Sequence, residues 1–213
     1  MNEKINIFDK VTSFDRKDCL EHPSFGFRPL FYTQNYQMKA SDKQVFLYDV
    51  SFCGTIHSDR YDVLEKVRSL CDQKGLKEFD YPYLQSKFVF WIYKIADKRY
   101  RKLKTSDFCY TPLPTEKAQD LMYKTRAMLD IHHPNQSGLT MRAIECLGAR
   151  RKLITTNKDI KNYDFFRANN IMVIDRENPI ISEEFLSTDY ELLQDEIYKK
   201  YSISQWVSDV LTM

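Results

Sequence analysis

Short apolar runs rich in β-formers alternate with segments of helical periodicity along most of this chain. Residues 45–53, VFLYDVSFC, form a strand-like run that stops at Gly54. Val63, Leu64, Val67 and Leu70 then fall on one face of a helix over 59–71. Residues 80–84 read as a strand, and 88–104 as a helix that is apolar first and basic later. After a loop at 109–114, Thr115 and Glu116 can open a helix, and 127–132 (AMLDIH) reads as a strand. A helix over 139–147 is expected to stop at Gly148. Strands at 152–155 and 171–174 follow, and the tail from 191 to 211 is mostly helical in pattern. Ahead of this series, 7–14 reads as a short strand and 27–33 as a second extended piece, joined through Pro23 and Gly26. Strands spaced by helices pair in parallel, because each helix carries the chain back to the same end of the sheet. Ligands of such sheets sit beyond the carboxyl ends of the strands. The loops after Cys53, His132 and Thr155 are therefore the places to seek chemistry.

With 213 residues, 43% of them apolar, the chain can bury one proper core with appendages. Its 32 basic and 30 acidic residues leave a net charge of +2, which gives no support to nucleic acid as a partner. One cluster is locally basic: Lys94, Lys98, Arg99, Arg101, Lys102 and Lys104. It is either a solvated helix face or a contact for anionic head groups and phosphates. The five cysteines are odd in number and lack C-x-x-C spacing, which argues against a disulfide framework and a zinc site and for a reducing compartment. No run approaches a membrane span, and Met1-Asn2-Glu3-Lys4 lacks the apolar core of a signal peptide. The expectation is a soluble cytoplasmic protein, with peripheral contact to the inner face of the membrane as an extension of it.

The most informative segment is 129–157, LDIHHPNQSGLTMRAIECLGARRKLITTN. A strand runs into a loop with two histidines, the loop reaches Gly138, and a helix starts just beyond. The first turn of a helix presents unpaired N–H groups with partial positive charge. A glycine there lets a phosphate approach the backbone. Thr140 is a candidate hydroxyl donor and Arg142 a candidate cation for a diphosphate. Glu145, five residues beyond Thr140, can accept two hydrogen bonds from a ribose diol, or can simply pair with Arg142 or Arg150.

The second segment, 49–60 (DVSFCGTIHSDR), again runs a strand into Gly54 and Thr55, then His57, Ser58 and Arg60. It is either a second phosphate-facing turn or a helix capped by Ser58 with Arg60 on the surface. His132 and His133 are candidates for a base or a phosphate donor near neutral pH, or for structural donors. Tyr163, Phe165 and Phe166 are candidates to flank a base or sugar, or to fill the core. No metal-binding histidine spacing occurs, and no G-x-S-x-G, Walker A or G-x-G-x-x-G motif. Serine hydrolase, P-loop kinase and simple dehydrogenase readings are lowered accordingly.

The segments DVSFCGTIHSDR, HPNQSGLTMRAIECLGARRKLITTN, YDFF and NIMVIDR, with the opening FDKVTSFDRKDC and FRPLFY, resemble a family of bacterial lipopolysaccharide and capsule biosynthesis proteins. The resemblance runs from about Phe8 to Trp206. The block GLTMRAIECLGA is also similar to spore-maturation glycosyltransferase-like proteins and, more distantly, to the donor-site helix of glycosyltransferases with two Rossmann-like domains, the GT-B fold.

The resemblance implies an α/β Rossmann-like parallel sheet, the C-terminal donor-binding domain of a GT-B-type glycosyltransferase. In that reading residues 1–43 are a remnant of an N-terminal acceptor domain, 44–190 the nucleotide-sugar domain and 191–213 a helix that packs back on the remnant. The implied reaction moves a sugar from a nucleotide sugar to a lipopolysaccharide or capsule glycan. Arg142, with the N-terminus of the helix from Leu139, would stabilise the leaving diphosphate without a bound metal or other cofactor. His133, with His132, is the candidate for direct substrate contact, and Glu145 would hold the ribose. Gly54, Thr55, His57, Arg60, Gln136, Gly138, Leu139, Thr140 and Asn157 complete the donor-binding set. Most of the N-terminal half is expected to be missing, so the alternatives are a catalytically inactive nucleotide- or sugar-binding module, or a subunit completed by a separate N-terminal partner. Exposed apolar surface would then favour self-association.

Overall fold

The computed structural model describes residues 8–38 and 45–212. The chain opens with a small parallel pair, β1 (Thr12–Ser13) and β2 (Gly26–Phe27), joined through α1 (Arg16–Glu21). Five longer strands then form one all-parallel sheet: β3 (Tyr48–Thr55), β4 (Glu78–Tyr83), β5 (Thr125–Asp130), β6 (Lys152–Thr155) and β7 (Ile171–Val173). Between them lie α2 (Arg60–Lys74), α3 (Lys87–Ala96), α4 (Thr115–Lys124) and α5 (Met141–Gly148). The tail adds α6 (Glu183–Ser187), α7 (Asp195–Lys200) and α8 (Ile203–Thr212). The architecture is Rossmann-like α/β.

The strand order is β4-β3-β5-β6-β7. From β3 the chain winds first to β4 on one side, then returns past β3 to build β5, β6 and β7 on the other. The winding direction reverses between β3 and β5, which pair with Val50 opposite Ala127 and Phe52 opposite Leu129. Ends of neighbouring strands diverge at such a switch and leave a crevice at the carboxyl edge.

Side chains alternate between the two faces of the sheet, so two cores form. Ala127, Leu129 and Ile154 join Val63, Leu64 and Val67 of α2 and Phe90 of α3 on one face. Met128 and Leu153 join Ile144 and Leu147 of α5 on the other, with Tyr32, Tyr36, Tyr198 and Tyr201. Strand β5 is buried on both sides, and Ala127, Met128 and Leu129 at its centre are apolar in succession. Fully buried leucines such as Leu64 and Leu84 each contribute roughly 1.5–3 kcal/mol from removal of apolar surface from water.

The early segment and the tail share the second core. Tyr32 N–H donates to the Tyr201 carbonyl at 2.8 Å, and Ile203 N–H to the Tyr32 carbonyl at 2.9 Å. Arg28 meets Asp209 at 2.9 Å, and the Phe31 and Trp206 rings lie 4.9 Å apart. The expected boundary between 43 and 44 lies outside the described residues.

Several local expectations need correction. The expected strand at 7–14 begins at a residue outside those described and is reduced to Thr12–Ser13, and the piece at 27–33 to Gly26–Phe27 plus a single bridge from Tyr32 to Ser202. The helix expected over 88–104 stops at Ala96, because Asp97 turns extended and its carboxylate accepts the Arg99 N–H at 3.0 Å to start a separate 3-10 turn over Lys98–Lys102. Gly148 does not terminate α5. Arg150 does, at φ 51°, with Arg151 N–H reaching the Cys146 carbonyl and Arg150 N–H the Leu147 carbonyl, a Schellman closure built without glycine. Gly148 is instead a close-approach residue: a Cβ there would lie 2.5 Å from Cγ of Tyr32.

Candidate functional site at the carboxyl edge of the sheet

Because the five strands are parallel, their carboxyl ends converge on one edge. β3 delivers Thr55 and His57, β5 delivers Asp130, His132 and His133, β6 delivers Thr155 and Thr156, and β7 delivers Arg176. Arg60, the first residue of α2, donates through Nη1 to the Thr55 carbonyl at 2.7 Å and through Nε to the Ile131 carbonyl. It ties the ends of β3 and β5 together across the switch point. Ser58 makes the tight turn into α2 with φ 50°, so it does not cap that helix; Asp59 holds the cap position and turns its carboxylate elsewhere.

Arg176 is the hub of the edge. Its Nη1 reaches both Asp59 carboxylate oxygens at 2.8 Å, and its Nη2 donates to the His132 carbonyl and approaches His132 Nδ1 at 3.1 Å. Thr156 Oγ1 lies 2.8 Å from the same Nδ1. A ring nitrogen facing a guanidinium must accept, so the neutral ring keeps its proton on Nε2. Burial, then the charges of Arg176 and Arg60, push His132 down to about 4. Burial, then Arg60, push His57 down to about 4. Near neutral pH the edge thus carries two guanidinium groups, that of Arg176 paired with the Asp59 carboxylate, and two uncharged imidazoles. The His57 and His133 rings lie 5.1 Å apart. His132, Gln136, Asn157, Lys158 and Arg176 line an open cleft of about 420 Å³ beside them.

No family model matches the chain, and no curated protein matches it.

The loop into α5 is more fully satisfied than its sequence suggests. Asp130, buried at the end of β5, accepts Thr140 Oγ1 at 2.8 Å and Thr155 Oγ1 at 3.0 Å. Burial raises its pKa, against the pull of those two hydroxyls and of Arg60. Thr140 also accepts the Ala143 N–H at 3.2 Å as the N-cap of α5, so its only proton is already given to Asp130. The helix starts at Met141, not Leu139, whose side chain is core. The Asp15 carboxylate accepts Gly138 N–H at 2.8 Å, Ser137 N–H at 3.1 Å and the Ser137 hydroxyl. Burial opposes that charge, but the Ser137 hydroxyl and the amides of Gly138, Lys17 and Ser137 hold the pKa below the usual carboxylate range. Gly138 is required here by the N-terminal segment: a Cβ would stand 2.8 Å from the Phe14 ring.

Of the residues proposed from sequence, His57, Arg60, His132, His133 and Gln136 gather at the edge. Gly54 and Thr55 belong to β3 itself, Gly54 allowing the Phe52 ring to lie 3.2 Å from where its Cβ would be. Asn157 lines the cleft but is buried, donating to the Ser137 carbonyl at 3.0 Å and capping a 3-10 turn. Arg142 and Glu145 pair with each other at 2.9 Å, and Tyr36 hydrogen-bonds Glu145. Nε of Arg142 is buried with no hydrogen-bond partner among the described residues. Tyr163 and Phe165 are core, Tyr163 packing on Phe27 and Phe165 on Tyr201. Among the described residues no three His, Cys, Asp or Glu side chains converge as for a metal ion.

Sequence reading missed Arg176, Asp59, Asp130, Thr156 and Asp15. Arg176 had a usable signal: it follows the apolar run 171–174 by two residues, the position that a parallel strand delivers to the carboxyl edge. Asp15 had none, since its partners lie 122 and 123 residues away.

Proposed function

We propose that this chain binds a nucleoside-diphosphate sugar at the carboxyl edge of its sheet, as the donor half of a glycosyltransferase acting on a surface glycan. The observation that carries the reading is the placement of Arg60, Arg176 and the uncharged His57 and His132 around the β3/β5 switch, with the 420 Å³ cleft beside them. Fixed guanidinium groups stabilise a leaving diphosphate, and neutral imidazole N–H groups donate to its oxygens without adding charge. Arg142, with a spare buried Nε, is a further cation for the same anion if Glu145 turns from it toward a ribose. His133 remains the candidate for contact with the sugar.

The test is a thermal-shift screen against UDP, GDP, CDP, TDP and their common sugar conjugates, with and without Mg²⁺. A ligand at 100 times its Kd stabilises by about 2.7 kcal/mol. One nucleotide is expected to raise the Tm of the wild-type chain and to lose that effect in Arg176→Met and Arg142→Ala. A folded chain that no nucleotide shifts would overturn the reading.

A second reading, a module that binds without transferring, is favoured by one observation. The amides of Ser137 and Gly138, where a donor phosphate would sit in the loop before α5, already hold Asp15 of the same chain. Nucleotide binding without sugar transfer to any acceptor glycan would support it.

A further inference from the structure

Helix α3 carries large apolar side chains on two opposite faces. One face is core: Phe90 is 1% exposed and packs on Phe108. The other face points to solvent. Phe88 is 73% exposed, Trp91 54%, Ile92 45% and Ile95 79%. Their spacing, i, i+3, i+4 and i+7, makes one continuous stripe along the helix. Ten residues give α3 a length of about 15 Å, so the stripe is long enough to lie in an interface and far too short to span one. No helix among the described residues is long and apolar enough to cross a membrane.

The stripe is rimmed with positive charge. Between residues 84 and 106 the chain has seven cations, Lys87, Lys94, Lys98, Arg99, Arg101, Lys102 and Lys104, against the single carboxylate Asp97. The whole chain is only +2, so the remainder is net acidic. Arg99 is neutralised by Asp97, and Lys94 donates to the Leu103 carbonyl. Lys87, Lys98, Arg101 and Lys102 are exposed and have no ionic partner among the described residues.

We infer that α3 and the 3-10 turn after it dock the protein on an anionic lipid surface, with Phe88, Trp91, Ile92 and Ile95 entering the acyl boundary and the cations on the head groups. An apolar stripe with a tryptophan and a basic rim has the composition of a helix that lies in the membrane plane. A second copy of this chain is a poorer occupant, because apposing two such faces brings like charges together. Nucleic acid is poorer too, since only Phe88 and Trp91 of the four offer bases a ring to stack on, while Ile92 and Ile95 are aliphatic. The inference stands independently of the nucleotide reading. It also fixes an orientation: α3 begins four residues after the end of β4, so its start lies at the same edge of the sheet as the cleft.

The experiment is co-sedimentation of the full chain with phosphatidylcholine vesicles, plain or containing about 30% phosphatidylglycerol, alongside tryptophan emission. Binding is expected to the anionic vesicles only, to weaken as salt rises, and to shift Trp emission to the blue in the wild type but not in Trp91→Phe. The variants Phe88→Ser/Ile95→Ser and Lys98→Glu/Arg101→Glu/Lys102→Glu, all on the solvent side, should each lower partitioning by about tenfold or more. Absence of wild-type binding to anionic vesicles overturns the inference, as does binding that those substitutions leave unchanged. A dimer abolished by Phe88→Ser/Ile95→Ser, without lipid binding, also overturns it and assigns the face to self-association.

Discussion

The Asp15 carboxylate sits on the backbone N–H of Gly138 at 2.8 Å, so a residue from the start of the chain fills the anion position of the loop that leads into α5. With Ser137 N–H, the Ser137 hydroxyl and Lys17 N–H also donating to it, removal of Asp15 leaves several donors unmet. Asp15→Ala is expected to cost about 1–3 kcal/mol. Pyrophosphate should restore part of that loss in the variant and shift the wild type less. Equal pyrophosphate shifts in the two chains would show that these amides do not receive a free anion.

Gly148 tests the joint between the early segment and the sheet. A methyl group there would stand 2.5–2.8 Å from Cγ, Cβ and Cδ2 of Tyr32. Tyr32 cannot move aside easily, being 1% exposed and hydrogen-bonded to the Tyr198 carbonyl. Gly148→Ala should destabilise by about 1–3 kcal/mol, the usual cost of overpacking. Denaturant unfolding measures it, and a change under ~0.5 kcal/mol would contradict the close approach.

The histidines predict a pH dependence. His57 and His132 titrate from 6.5 when unfolded but near 4 when folded. Below pH 6.5 the unfolded chain binds protons that the folded chain refuses, so stability falls as pH drops from 6.5 to about 4 and levels off beneath. After solvent screening the loss is roughly 1 kcal/mol per ring. Glu78 works in the opposite direction: burial and then Asp80 push it up to about 7, so its protonation favours the folded chain as pH falls through that value. Tm measured from pH 7 to pH 4 in a Glu78→Gln background should therefore fall steeply, and less so once His57→Gln and His132→Gln are added. Identical slopes would remove the histidines as the cause.

Arg28 and Asp209 tie the early segment to α8. Arg28 is 4% exposed, with Nε and Nη1 unpartnered among the described residues, and Nη2 shared between Asp209 and the Lys200 carbonyl. Asp209→Ala should cost about 3 kcal/mol, because it strands a buried cation, while Arg28→Met/Asp209→Ala should cost less than that single change. Urea midpoints of the three chains decide the ordering; a double variant weaker than Asp209→Ala would refute it.

The sequence by itself determined the parallel α/β class and, to within two residues, where the strands end, because both follow from local periodicity. Val63, Leu64 and Val67 mark a helix whatever surrounds them, and the strand read over 127–132, which ends at Asp130, carries His132 to the carboxyl edge either way. The Arg142–Glu145 pair was legible for the same reason, three residues being one turn. Tertiary structure decided how those groups are used. Arg176 meets Asp59 across 117 residues, Asp15 meets Gly138 across 123, and Tyr32, hydrogen-bonded to Tyr198 and Tyr201 of the tail, covers Gly148. Such contacts depend on which faces pack together, and no periodicity encodes that. Gly138 and Gly148 read in the sequence as a phosphate turn and a helix stop, yet each is small because another part of the chain lies against it.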